Sequence, residues 1–189
     1  MTRMISEDTI GEMFWNRVRQ YGPRAALRVK RDAVWQDISW QEWGKNVRHF
    51  AMGLMVLGLK EREKVALLSE NRPEWAYVDL AVLSANAVDT PIYATNIPEQ
   101  VEHIVKDSGS RFIVVSTEEQ LAKVQEIKGN VPDLEKAILI DRESEHPEDW
   151  ILTFAEVLEL GEAKGDAAAF EKRLESFFND TATTEIYTS

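Results

Sequence analysis

Apolar and polar positions alternate along the chain in two distinct rhythms. Residues 8–20 carry Ile10, Met13, Phe14 and Val18 at helical spacing, with Arg and Glu on the opposite side. Tyr21-Gly22-Pro23 ends that helix. Ala26 to Arg31 and Ala33 to Ile38 read as two strands about a tight Arg31-Asp32 connection, a hairpin. Ser39, with Glu42 three residues on, forms a capping box for a second helix. Its apolar positions Trp40, Trp43, Val47, Phe50, Leu54 and Leu57 lie on one face, and Gly58 closes it.

From Lys64 onward the rhythm becomes strand, capped helix, strand. Strands are expected at Lys64–Ser69, Val88–Ile92, Phe112–Val115 and Ala137–Ile140. Between them, Asn71 and Glu74 bracket one helix start and Asn96 and Glu99 another. Each has a proline, Pro73 or Pro98, in the first turn, where a missing N–H costs little. Ser116 and Glu119 open a third helix, with Leu121, Val124 and Ile127 inward. The stretch Trp75–Ala85 is apolar nearly all round, so its helix belongs in the interior. Short apolar strands separated by capped helices predict an α/β fold. Its sheet is mostly parallel, with helices on both faces, joined by right-handed crossovers. After Asp141 the pattern weakens. Arg142–Asp149 reads as a charged loop, and Ile151 begins a short element. Thr153 with Glu156 caps a brief helix to Leu160, Gly161–Asp166 reads as a linker, and Ala167–Phe177 as a surface helix.

Composition narrows the chemistry. The 189 residues include no cysteine, which excludes disulfides, thiolate catalysis and Cys-type metal centres. The net charge is −11, against a nucleic-acid partner held by phosphate neutralisation. The acid is uneven: residues 141–189 hold 13 acidic and 4 basic side chains, and read as a solvated rim. The first residues lack the apolar run of a secretory signal. No stretch of 18 apolar residues is long enough to span a bilayer. The expected compartment is the cytoplasm. Peripheral membrane association and oligomeric state stay open.

The obvious nucleotide and metal motifs fail on inspection. No G-x-G-x-x-G follows a strand. Gly53 and Gly58 have P-loop spacing, but Lys60 comes one residue late and the glycines lie on a helix, where close packing and a C-cap explain them. His49, His103 and His146 have no second ligand at metal spacing. Polar residues do cluster after two strands, in Ser69-Glu-Asn-Arg-Pro-Glu-Trp75 and Thr90-Pro-Ile-Tyr-Ala-Thr-Asn96. Carboxyl ends of parallel strands are where open α/β sheets bind ligands. Helix capping and loop rigidity are the competing reading of both segments.

At these segments the chain resembles the AMP-forming acyl-CoA synthetases of the adenylate-forming superfamily. The resemblance runs through Gly58–Trp75, Val88–Thr95 and Gln100–Ser116, and covers roughly residues 8–176. Asn71-Arg-Pro-Glu-Trp75 and Pro91-Ile-Tyr93 are most similar to the long-chain fatty acid branch. The resemblance implies a two-step ligase. A fatty acid carboxylate attacks the α-phosphorus of ATP, releasing pyrophosphate and leaving acyl-adenylate; the CoA thiol then displaces AMP. Mg²⁺ offsets phosphate charge in the first step. The implied cofactors are ATP, Mg²⁺ and CoA, and the implied substrate is a fatty acid.

The family's ATP phosphate loop opens Tyr-Thr-Ser and continues into glycines, and this chain ends Tyr187-Thr188-Ser189. Thr188 and Ser189 are therefore the cofactor-binding candidates, and no catalytic or metal-binding residue is assigned. The expected organisation is residues 1–176 as the N-terminal part of an AMP-binding domain, incomplete, with 177–189 a suspect, non-native tail. Glu185 would place a charge where the family has an apolar strand, and the string reads like a translated sequencing adapter. A divergent native strand is the alternative. The expectation is a fragment that does not catalyse by itself. Two other readings stand beside it: a ligase for another carboxylic acid, and a non-catalytic α/β binding or interaction module.

Overall fold

In the computed structural model, residues 9–142 and 148–179 are described. Helix α1 (Ile10–Tyr21) is capped by Thr9, whose side chain accepts from the Glu12 N–H, and Gly22 at φ 42° turns the chain away. Strands β1 (Ala25–Arg31) and β2 (Val34–Ser39) form the expected antiparallel hairpin. Its turn residues Asp32 and Ala33 both have positive φ, the twist that tight hairpins favour. Ser39 then caps α2 (Trp40–Val56) by accepting from the Glu42 N–H.

The second unit is a five-stranded parallel sheet. Strands β3 (Lys64–Leu68), β4 (Val88–Ile92), β5 (Phe112–Val115), β6 (Lys136–Leu139) and β7 (Ile151–Thr153) lie in the order β4-β3-β5-β6-β7. Successive side chains on a strand point to opposite faces, and the cores divide accordingly. Val65, Leu67, Phe112, Val114 and Ile138 face one core. Ala66, Leu68, Ile113, Val115, Ala137 and Leu139 face the other. The first core is covered by α1, α2, α3 (Pro73–Ser84), α6 (Phe154–Lys164) and α7 (Ala167–Asn179). The second is covered by α4 (Pro98–Ser108) and α5 (Glu118–Ile127). Helices on both faces of a parallel sheet are what the sequence pattern predicts.

Several expectations shift. The helix caps fall one residue late: Arg72 and Ile97 precede α3 and α4, in place of Asn71 and Asn96. A proline at the first helical position drives its predecessor into extended backbone whatever its side chain. Arg72 accordingly sits at φ −156°, ψ 164°. Thr117, not Ser116, caps α5, because Ser116 still belongs to the sheet edge and gives its N–H to the Leu68 carbonyl at 3.2 Å.

Two corrections fall at the C-terminal end. Gly161–Asp166 is not wholly a linker, because α6 runs on to Lys164 and buries Gly161. The last helix is not simply on the surface either. Phe170 is completely buried and Leu174 nearly so, packed into the first core. Asp166 begins that helix by accepting from the Ala168 and Ala169 N–H groups.

Candidate functional site at the carboxyl edge of the sheet

Strand β3 leads through α3 to β4 on one side, while β5 leads through α5 to β6 on the other. The loops after β3 and β5 therefore diverge, and the crevice between them is a topological switch point, where open α/β sheets receive ligands. Ser69 and Glu70 follow β3 here, and Ser116 follows β5. Ser69 gives its hydroxyl to the Glu70 carbonyl at 2.9 Å. Ser116 and Gln120 are buried beside the Glu70 carboxylate. The Ser116 hydroxyl, chiefly, holds the Glu70 carboxyl below the usual carboxylate range, against the opposing effect of burial.

Arg72 dominates the electrostatics of the edge. Its two terminal nitrogens meet the two Asp141 carboxylate oxygens, each at 2.7 Å, and its Nε meets Glu74 at 2.8 Å. A planar fork against a carboxylate is the strongest geometry this pair can adopt. The guanidinium holds the Asp141 carboxyl below its ordinary value. Arg31 of the hairpin reaches Glu74 at 3.0 Å. The first polar segment thus ties the ends of β3 and β6 to each other and to the hairpin. The second segment does not join it. Lys123 of α5 holds the loop after β4 by donating to the Ala94 and Asn96 carbonyls at 2.8 and 3.0 Å, and Tyr93 is 82% exposed.

Thr188 and Ser189 lie outside the described residues, as does His146. Of the other histidines, His49 is half-buried in α2 with Glu162 nearby, and His103 is exposed on α4. Gly53 and Gly58 take the packing roles expected of them, at a helix crossing and at a positive-φ turn. The loops after β3, β4 and β5 contain no glycine, Glu70 and the first-turn Glu74 of α3 put negative charge there, and Arg72 is already committed. Backbone N–H groups that cradle phosphate need close approach, so the described carboxyl edge does not fit a nucleoside triphosphate. Sequence reasoning missed the Arg72–Asp141 pairing, because nothing local to either residue indicates the other.

A profile of the family described as AMP-binding enzyme matches residues 14–189. The chain belongs to this family. It is 32% identical over 154 residues to the rat long-chain-fatty-acid–CoA ligase ACSBG1, covering 82% of this chain and 21% of that protein. It is 33% identical over 158 residues to FadD15 of Mycobacterium bovis, also named a long-chain-fatty-acid–CoA ligase, covering 84% of this chain and 25% of that one. Among solved structures, the anthranilate CoA ligase AuaEII in complex with anthranoyl-AMP superposes with a TM-score of 0.70 at 22% identity. The overlap covers 79% of this chain and 27% of that structure. The chain therefore spans about a fifth to a quarter of the curated relatives it matches.

Proposed function

We propose that this chain is the N-terminal part of an ATP-dependent ligase that converts a long-chain fatty acid through acyl-adenylate to acyl-CoA. The supporting observation is the identity of 32–33% over more than four-fifths of the chain to proteins named long-chain-fatty-acid–CoA ligases. In this reading residues 1–176 form the opening of the AMP-binding domain and 177–189 a suspect tail, with Thr188 and Ser189 at the start of the phosphate loop. In the first step the carboxylate oxygen bonds to the α-phosphorus and pyrophosphate leaves. In the second the CoA sulfur bonds to the acyl carbon and AMP leaves. ATP, Mg²⁺ and CoA are requirements of the longer enzyme, which acts in the cytoplasm. The described residues supply scaffold: two cores, and the Arg72–Asp141 tie that orders the sheet edge. The 189-residue chain alone neither binds ATP tightly nor catalyses.

The test has two arms. The genomic frame downstream of the Ser189 codon is read, and its uninterrupted product is assayed for fatty-acid-dependent exchange of pyrophosphate into ATP. Exchange with a sixteen-carbon acid is expected; exchange only with aryl acids favours the other-acid ligase. The 189-residue chain is titrated with ATP by calorimetry, and micromolar binding overturns its inactivity.

A further inference from the structure

The crevice between the ends of β3 and β5 holds polar atoms that the sheet leaves unused. Ser116 is wholly buried after β5, and Gln120, in the first turn of α5, is 3% exposed. The Ser116 Oγ and the Gln120 Oε1 are closed to water, and neither has a hydrogen-bond partner among the described residues. Buried polar atoms in native proteins are almost always paired. Two orphans at the edge where open α/β sheets receive ligands call for a partner from outside the chain.

Both side chains reach toward the same third group. Ser116 and Gln120 each lie close enough to the Glu70 carboxyl to favour its ionised form. Glu70 itself is exposed, and among the described residues it forms no ion pair. Arg72, which also favours the charged form, is held by Asp141 and Glu74. The crevice thus gathers a carboxylate, an amide oxygen and a hydroxyl oxygen, with one net negative charge. Glu70 is the solvent-facing member, so its side chain is the one that can move to admit a ligand.

We propose that this crevice binds one sodium-sized cation, held by the Glu70 carboxylate, the Gln120 Oε1 and the Ser116 Oγ. Oxygen donors suit a hard cation. A single charge balances the single carboxylate, whereas a divalent ion would leave excess positive charge near the Arg72 guanidinium. The Ser116 hydroxyl can turn its hydrogen to Glu70 while its lone pairs face the ion. Because the inner oxygens are closed to water, the ion must be small, and sodium is favoured over potassium. A phosphate or a fatty acid carboxylate meets the Glu70 charge and is repelled. Bound sodium ties the loop after β3 to the start of α5, across the switch point. No substrate of the ligase reaction takes part, so the proposal stands or falls apart from that reading.

A salt series decides the matter. The 189-residue chain is melted in the chlorides of sodium, potassium and choline at one ionic strength, about 150 mM, where general screening is the same. Sodium is expected to raise the melting temperature saturably, by about 3 °C over choline, and potassium by less than about half of that. Sodium NMR supplies the direct reading: the chain should broaden the sodium line, and added potassium should restore it only weakly. Glu70→Gln removes the charge and Gln120→Leu the buried acceptor. Each is expected to abolish the difference between sodium and choline, whatever it does to the melting temperature in choline. Equal melting in sodium and choline overturns the proposal and leaves the crevice to ordered water. So does an equal effect of potassium, an undiminished sodium effect in Glu70→Gln, or calcium acting at a roughly tenfold lower concentration than sodium. The wild-type salt series and line width need no variant, so a variant that fails to fold does not spare the proposal.

Discussion

Gly161 of α6 rests directly on the backbone of α2 opposite Gly53. A Cβ on Gly161 would collide with the His49 carbonyl oxygen and stand 2.7 Å from the Gly53 nitrogen. A Cβ on Gly53 would collide with the Val157 carbonyl oxygen and stand 2.7 Å from the Val157 Cγ1. Backbone cannot retreat as a flexible side chain can, so the two helices must separate. Gly161→Ala and Gly53→Ala are each expected to cost about 3 kcal/mol, a large overpacking penalty. The melting temperature should fall by roughly 6–12 °C. Gly129→Ala, whose Cβ would meet open space, should change stability by less than about 1 kcal/mol. Thermal unfolding of the three variants checks the contrast.

Arg72→Lys keeps the charge but removes the fork that meets both Asp141 oxygens. Asp141 is about half exposed, so screening reduces the pair's worth and the expected loss is about 1 kcal/mol. Asp141→Asn should cost a similar amount, and the double variant little more than either single one. Denaturant titration of the cycle measures the coupling, and additive losses would deny it.

Asp79 of α3 and Asp89 of β4 face each other where water is scarce, and both Asp89 carboxyl oxygens are shut off from solvent. Burial, then for Asp89 the neighbouring Asp79 charge, pushes the pair above the ordinary carboxylate range. The folded state therefore holds a proton that the unfolded chain releases. This contribution favours folding at low pH and is lost progressively as pH rises from about 4, where the unfolded carboxyl ionises, to about 8, the upper of the two raised values. Asp89→Asn should flatten that slope. At pH 8 it should stabilise by roughly 2 kcal/mol, and near pH 4 by little. Melting curves across that range decide the sign.

Arg173 of α7 donates from Nη1 to the Leu59 carbonyl at 2.8 Å and the Ala85 carbonyl at 3.4 Å, which cross-links the last helix to the turns after α2 and α3. Arg173→Ala should loosen α7 while the sheet persists. The expected cost is about 1–2 kcal/mol, with faster proteolysis confined to the region after Gly165. Cleavage unchanged from the wild type would show that Phe170 and Leu174 suffice.

Much of the fold was legible because its signals are local. The apolar runs at Val65–Leu68 and Phe112–Val115 mark strands buried on both faces, and both lie inside the sheet. The Thr153–Glu156 capping box marked the start of α6 correctly, since both halves of that motif lie within one turn. Cap positions slipped at Arg72 and Ile97 because backbone restriction before proline outranks the side-chain preference of a neighbouring Asn. Gly161 was misread for a related reason: glycine is a helix breaker by propensity, and only the opposing backbone of α2 makes it a requirement. The candidate site was legible as two polar segments after strands, but not as one edge tied to β6 and another to α5. Arg72 and Asp141 are 69 residues apart, beyond any periodicity.

By itself the sequence determined the element order, the parallel sheet with two covered faces and, through its likeness to acyl-CoA synthetases, the family. Each of these depends on spacing within a turn or a strand, or on residue identities in order. Tertiary structure alone decided the Gly53–Gly161 crossing, the burial of Phe170, the facing Asp79 and Asp89, and the pairing of Arg72 with Asp141. Those depend on which distant surfaces meet, and that is settled by how the two cores close over the sheet.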